Sequence, residues 1–204
     1  QFYKIGDTTI LNTFLSNLDV TKFNIIVIAI SSKYRQKIQN DFLNKFSKQK
    51  IIFADAGKTR QESSFNSLRK LSNYKIENVL IHDAARPFVE NRLINRSLKN
   101  LDKYNATIPV LSCIDSLINK NTMEYINRND IKYIQTPQGF NYKIILDAYE
   151  KHMNIKQNEK VDFKDDFSLL LYYRPNVNYF FYEGDSLNFK ITTQNDLKKI
   201  NFKC

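Results

Sequence analysis

Short apolar runs alternate along this chain with longer stretches of helical spacing. "FNIIVIAI" (23–30), "KIIFAD" (50–55), "NVLIHD" (78–83) and "NATIPVLS" (105–112) are β-branched and nearly continuous in their hydrophobicity. Strands covered on both faces read this way. Between them, "SSKYRQKIQNDFLNKFSKQ", "TRQESSFNSLRKLSNY" and "VENRLINRSLKNLDKY" carry apolar residues at the period of a helix. Repeated β-α-β units close by right-handed crossovers, so the pattern predicts an α/β fold with a doubly wound, mostly parallel sheet.

Two regions break the rhythm. Residues 114–136, "IDSLINKNTMEYINRNDIKYIQT", hold two extended polar-apolar stretches around "NKNT", which predicts a hairpin arm projecting from the sheet. A helix is expected at about 141–153 and a second acidic-to-helical junction at "VDFKDDFSLLLYY". A strand near "VNYFFYEG" and a helix from about Thr193 close the chain. No internal repeat, low-complexity tract or linker divides it, and 204 residues suit one domain. The four glycines, Gly6, Gly57, Gly139 and Gly184, are each expected at a turn. Gly57, in "ADAGKTRQES", falls between a strand and a helix, at the carboxyl edge where open α/β sheets bind ligands.

Composition narrows the class. A hydrophobic share of 42% with 13% aromatics excludes a disordered chain, and 25% charged residues suits a water-facing surface. No apolar run approaches the roughly 18–20 residues of a membrane helix. Cys113 and Cys204 form no CxxC or Cys/His cluster, which argues against a zinc site or a disulfide framework and for a reducing cytoplasm. A net charge of +10 fits a nucleic-acid binder or an enzyme of phosphate substrates. The lysines are spread through the chain among many Asn and Ile residues, as in a lysine-drifted proteome, with no dense basic block and no aromatic-basic RNA motif, which argues against nucleic-acid binding.

Two junctions carry candidate chemistry. In "AGKTRQESS", Gly57 allows close approach, and Arg60 with Ser63 or Ser64 offers donors to a base, ribose or phosphate. Ordinary capping, with Thr59 as N-cap and Glu62 three residues on, explains the same spacing equally well. In "HDAARP", Asp83 can accept from sugar hydroxyls or help position a metal-phosphate complex, and Ala84 and Ala85 leave room for a ring. Arg86 reads better as a lock on the turn than as a phosphate ligand, and His82 better as a packed strand-end histidine than as a general base.

The ordered series "GKTRQES", "VLIHDAARPF", "QTPQGF", "KDDFS" and "NFKITTQNDL" resembles the 2-C-methyl-D-erythritol 4-phosphate cytidylyltransferases of the non-mevalonate isoprenoid pathway. The likeness runs from Gln1 to about Leu197. It implies a Rossmann-like sheet with a projecting β-hairpin arm, and transfer of a cytidylyl group from CTP to methylerythritol phosphate with release of pyrophosphate. It implies Mg²⁺ held mainly by the CTP phosphates rather than by the protein. Lys190 matches the lysine beside the α-phosphate, and Arg128 the arm arginine that binds the substrate phosphate of the partner subunit. Asp83, Ser116 and Thr136 match acceptor-side positions, with Ser116 standing where the family usually has threonine. Gly57, Ser63 and Ala84 match cytidine-side contacts. A homodimer through residues 114–136 is implied as well.

Three expectations qualify the resemblance. The family opens with a strand and a glycine-rich loop, and this sequence begins beyond them, so it reads as an N-terminally incomplete chain with turnover in doubt. Lys164 stands where a small hydroxyl residue is common and is expected to face solvent, while Asp165 and Asp166 are expected to cap a helix rather than bind metal. Zinc motifs of the cyclase domain that follows in some relatives do not occur. The alternatives are a ribitol-5-phosphate cytidylyltransferase and a catalytically impaired, dimeric nucleotide-binding homologue.

Overall fold

The computed structural model describes residues 2–43, 50–156, 159 and 161–198. In chain order its strands are β1 (Lys4–Ile5), β2 (Thr8–Thr9), β3 (Ile25–Ile30), β4 (Lys50–Asp55), β5 (Asn78–Ile81), β6 (Ala106–Ser112), β7 (Leu117–Ile118), β8 (Tyr125–Ile126), β9 (Lys132–Ile134), β10 (Gln138–Asn141) and β11 (Tyr179–Glu183). Its helices are α1 (Ile10–Asn17), α2 (Ser32–Leu43), α3 (Arg60–Lys70), α4 (Asn91–Leu101), α5 (Tyr142–Met153), α6 (Asp166–Tyr173) and α7 (Gln194–Lys198). The predicted strands and helices fall on these elements; the end of the helical stretch at 44–49 lies outside the described residues.

Capping chemistry sets the helix starts. Thr59 Oγ1 accepts the Glu62 N–H at 3.1 Å and opens α3. Asp165 accepts from the Ser168 N–H while Ser168 Oγ accepts from the Asp165 N–H, a reciprocal box that opens α6. Asn141 does the same work singly for α5.

Contacts divide the chain into two compact units. One gathers the described residues within 1–18, 82–139 and 179–204. Its centre is β6, whose first five residues are all buried, as a strand covered on both faces requires. β11 lies parallel to it in the register Tyr179↔Ala106 to Glu183↔Val110. β9 runs antiparallel to its far end, Val110↔Ile134. Leu93, Ile94, Ser97 and Leu101 form the buried stripe of α4, at the spacing of one helical face. The arm is a short hairpin, Leu117↔Ile126 and Ile118↔Tyr125, turning over the predicted "NKNT". The two stretches flanking that turn pair as expected, while the end of the 114–136 segment, at 132–134, pairs with β6.

The other unit spans the described residues within 19–81 and 140–178. β3 and β4 are parallel from Ile25↔Lys50 to Ile30↔Asp55, and α3 packs on both. α5 buries Tyr142, Ile145, Ala148, Tyr149 and His152, and lies against α3 and α6. Leu169 and Leu170 of α6 are fully buried.

The glycine expectation needs correction at Gly139, which lies inside β10 rather than at a turn. A Cβ there would collide with the hydroxyls of Ser97 and Thr107, themselves hydrogen-bonded at 2.6 Å. Close packing, not backbone freedom, demands glycine at this position. Gly6 is the turn glycine of the set, with φ of +58°.

Candidate active site

The loop after β5 carries a ring of hydrogen bonds. His82 Nε2 lies 3.0 Å from the Arg86 carbonyl, and its Nδ1 3.1 Å from Thr136 Oγ1. A carbonyl only accepts, so in the neutral ring Nε2 carries the proton and Nδ1 accepts from the Thr136 hydroxyl. Thr136 Oγ1 in turn accepts the Asp83 N–H at 3.1 Å. The Phe14 ring stacks on His82 with centroids 4.7 Å apart. His82 is thus the packed histidine that its strand-end place suggests, and it holds Thr136 and Asp83 in one frame.

Longer bonds bring the segment "NFKIT" to that loop. The Ile191 N–H donates to the Ala85 carbonyl at 2.9 Å, and the Phe88 and Phe189 rings meet with centroids 5.9 Å apart. Arg86 donates to the Asn188 carbonyl at 2.7 Å, so its guanidinium locks the turn as expected. Asn188, fully buried, donates from its side chain to the Thr136 carbonyl at 2.8 Å. Lys190 follows two residues later, and its ammonium stands 3.0 Å from the Asp83 carboxylate. Asp83 is 14% exposed and Lys190 41%, so the pair sits at a rim where an incoming anion can reach the lysine.

Beneath the rim lies a polar brace that sequence reasoning did not weigh. Gln135 donates to the Asp185 carbonyl at 2.8 Å and accepts the Asp185 N–H at 3.0 Å. The Asp185 carboxylate accepts from the Leu187 N–H and from Arg92, each within 2.8 Å. Hydrogen bonds that it donates to Asp185 and Glu90 hold the Arg92 guanidinium above its usual pKa. Beyond Lys190, the Asp196 carboxylate accepts from the backbone and hydroxyls of Thr192 and Thr193, which holds it well below the usual carboxylate range. Gln135 and Asp196 sit inside the quoted motifs and Asp185 falls between two of them, and no spacing rule marks a bond that spans 50 residues.

The structure therefore brings together Asp83, Thr136 and Lys190, with Ala84 on the same loop. Ser116 and Arg128 are exposed on the arm segment of the same unit, where Arg128 donates to the Ile114 carbonyl at 2.7 Å. Gly57 and Ser63 lie together in the other unit. The Gly57 N–H donates to Ser63 Oγ at 3.0 Å, Ser63 Oγ donates to the Thr59 carbonyl, and the Lys58 N–H donates to Glu62 at 2.6 Å. A Cβ on Gly57 would run into Glu62 and Ser63, so glycine is what lets this loop close on its helix. Lys164 pairs with Asp162 and is 85% exposed, facing solvent. Among the described residues, no group of three or more His, Cys, Asp or Glu is placed to hold a metal ion, and no helix is long and apolar enough to cross a membrane.

The parallel α/β framework places the ion-paired Asp83 and Lys190 just past a strand's carboxyl end, where open α/β sheets bind ligands. Comparison with known proteins identifies the family. The family model described as 2-C-methyl-D-erythritol 4-phosphate cytidylyltransferase matches residues 1–203. A protein of that description from Clostridium botulinum (strain Langeland) is 36% identical over 97% of this chain and 85% of its own length. Another, from Thermosipho africanus, is 33% identical over 97% and 86%. The crystal structure of 4-diphosphocytidyl-2C-methyl-D-erythritol synthase from Anaerococcus prevotii superposes with a TM-score of 0.86, at 28% identity, over 98% of this chain and 90% of that one. The chain belongs to the 2-C-methyl-D-erythritol 4-phosphate cytidylyltransferase family, and its fold is the Rossmann-like α/β fold of that family's structures.

Proposed function

We propose that this chain transfers a cytidylyl group from CTP to 2-C-methyl-D-erythritol 4-phosphate. An acceptor phosphate oxygen forms the new bond to the α-phosphorus, and the bond to the β-phosphate breaks to release pyrophosphate. Little covalent help is needed for such an in-line displacement; positioning and compensating charge supply the acceleration. The observation that carries the reading is the Asp83–Lys190 pair, 3.0 Å apart and bound into one loop cluster through Ala85 and Ile191.

Each partner of that pair has a task. Lys190 meets the charge that grows on the α-phosphate, and its partial exposure leaves it free to exchange Asp83 for a more highly charged anion. Asp83 then accepts from acceptor hydroxyls, with Thr136 fixing its backbone and Ala84 leaving room beside it. Ser116 and Arg128 take the acceptor's phosphate. Gly57 and Ser63 act on the nucleotide side by shaping the loop whose backbone meets it. Magnesium fits as a passenger on the triphosphate, because it commonly keeps waters and phosphate oxygens rather than an all-protein cage. When bound, it neutralises phosphate charge.

Incubating CTP and Mg²⁺ with methylerythritol phosphate, and separately with ribitol 5-phosphate, tests the acceptor. Release of pyrophosphate with the first and background release with the second is expected. The reverse preference would assign the chain to the ribitol reaction, and nucleotide binding without product from either would mark a binding homologue.

The arm supports a homodimer. Ile114 and Tyr125 are each 80% exposed and Met123 69%, a cost in water that a covering surface removes. We assign that cover to a second copy, which places Arg128 at the partner's acceptor phosphate. Mixing an inactive Lys190→Ala protein with an inactive Arg128→Ala protein should then restore part of the activity. No recovery after subunit exchange would confine Arg128 to its own site.

A further inference from the structure

Asp166, the second acid of "KDDFS", is 0% exposed. A carboxylate that deep must be paired and hydrogen-bonded. Arg60 Nη2 lies 2.5 Å from Oδ2, and the Tyr149 hydroxyl donates to Oδ1 at 2.5 Å. Burial first, then the neighbouring Asp166 charge, pushes the Tyr149 hydroxyl well above its usual pKa, so it remains a donor. Both carboxylate oxygens are engaged by these bonds, and the helix cap is supplied by Asp165. Neither metal binding nor capping accounts for Asp166.

Its place does. Arg60 and Gln61 are the first two residues of α3, and both are fastened to one stretch of chain: Arg60 to Asp166, and Gln61 by its side-chain amide to the Phe163 carbonyl. The loop just ahead of them is bound to that first turn through Gly57, Lys58 and Thr59. Loop and turn are bonded into one body, and the bonds to 163 and 166 tether it laterally. A buried ion pair is a weak source of net stability, since a neutral pair of similar shape often serves as well. What a charged, two-point anchor supplies is a fixed position.

We propose that Asp166 is a positioning residue for nucleotide binding: through Arg60 it sets where the Gly57–Ser63 loop stands, and so the affinity for CTP, without touching the nucleotide. This rests on the nucleotide-side reading of that loop. The Arg60 guanidinium, which its motif offers as a ligand donor, is engaged in the anchor through Nη2.

The test replaces the pair together, Arg60→Met with Asp166→Asn, which removes the charges and leaves an amide oxygen for Tyr149. The expected result is a KM for CTP raised by about tenfold, with the acceptor KM and kcat within about twofold and the melting temperature little changed. An unchanged KM for CTP overturns the proposal. Should the double variant fail to fold, Arg60→Lys decides: a fork replaced by a point charge should still raise the CTP KM severalfold, and a wild-type value overturns the proposal. Ser63→Ala separates the two layers. If it raises the CTP KM while the pair variant does not, the anchor is wrong and the loop assignment stands. If neither changes it, the loop assignment itself is wrong and the anchor falls with it.

Discussion

The loops at 57–59 and 82–90 each follow a strand, and the bonds that shape them run differently. The first is shaped by its own helix, whose first turn is itself tied to 163 and 166: Gly57 to Ser63, Lys58 to Glu62 and Thr59 to Glu62 are all bonds across three to six residues. The second is held from far along the chain, by Thr136 to Asp83, Asn188 to Arg86 and Ile191 to Ala85. Local bonds give a loop one shape that moves with its helix. Distant bonds let several segments converge on one spot, which is what an acidic and a basic side chain need in order to face each other. On the proposed reading, Asp83 stands on the second loop with Lys190 brought to it, and the first is suited to presenting backbone.

Paired threonine variants can break this contrast. Thr136→Val keeps shape but leaves the Asp83 N–H and His82 Nδ1 without their shared partner, at a cost of about 1–3 kcal/mol. Acceptor kcat/KM should fall by about tenfold or more, because Asp83 loses its frame. Thr59→Ala removes an N-cap worth about 1 kcal/mol, and kcat should stay within about twofold. Melting curves and initial rates on the two proteins check both values. If Thr59→Ala damages turnover more than Thr136→Val, the division between a shaped loop and a convergent one is mistaken.

The same division explains what was legible beforehand. The strands announced themselves because burial on both faces leaves near-continuous apolar runs, as in "NATIPVLS". Thr59 and Asp165 were readable as caps, since a cap and its target lie three residues apart. Lys190 was visible only through a family resemblance; in a chain with 31 Lys and Arg, no periodicity singles it out. Gln135, Asn188, Asp185 and Arg92 carry the brace under the rim, yet each reads locally as a surface polar residue. Gly139 read as a turn because its crowding by Ser97 and Thr107 exists only once β6 and α4 have met. The pairing of β9 with β6 was hidden for the same reason: an extended stretch does not declare which strand it pairs with.

The central claim is that Asp83 and Lys190 serve one reaction centre, and a double-mutant cycle on turnover addresses it most directly. Lys190→Met should lower acceptor kcat/KM by about 10³-fold, the scale of losing charge stabilisation at a transferring phosphoryl group. Asp83→Asn should lower it by about 10²-fold. Because the two groups meet at 3.0 Å, the double variant should lose little more than Lys190→Met alone. Losses that simply multiply would mean that the two residues act independently, and would contradict a shared site.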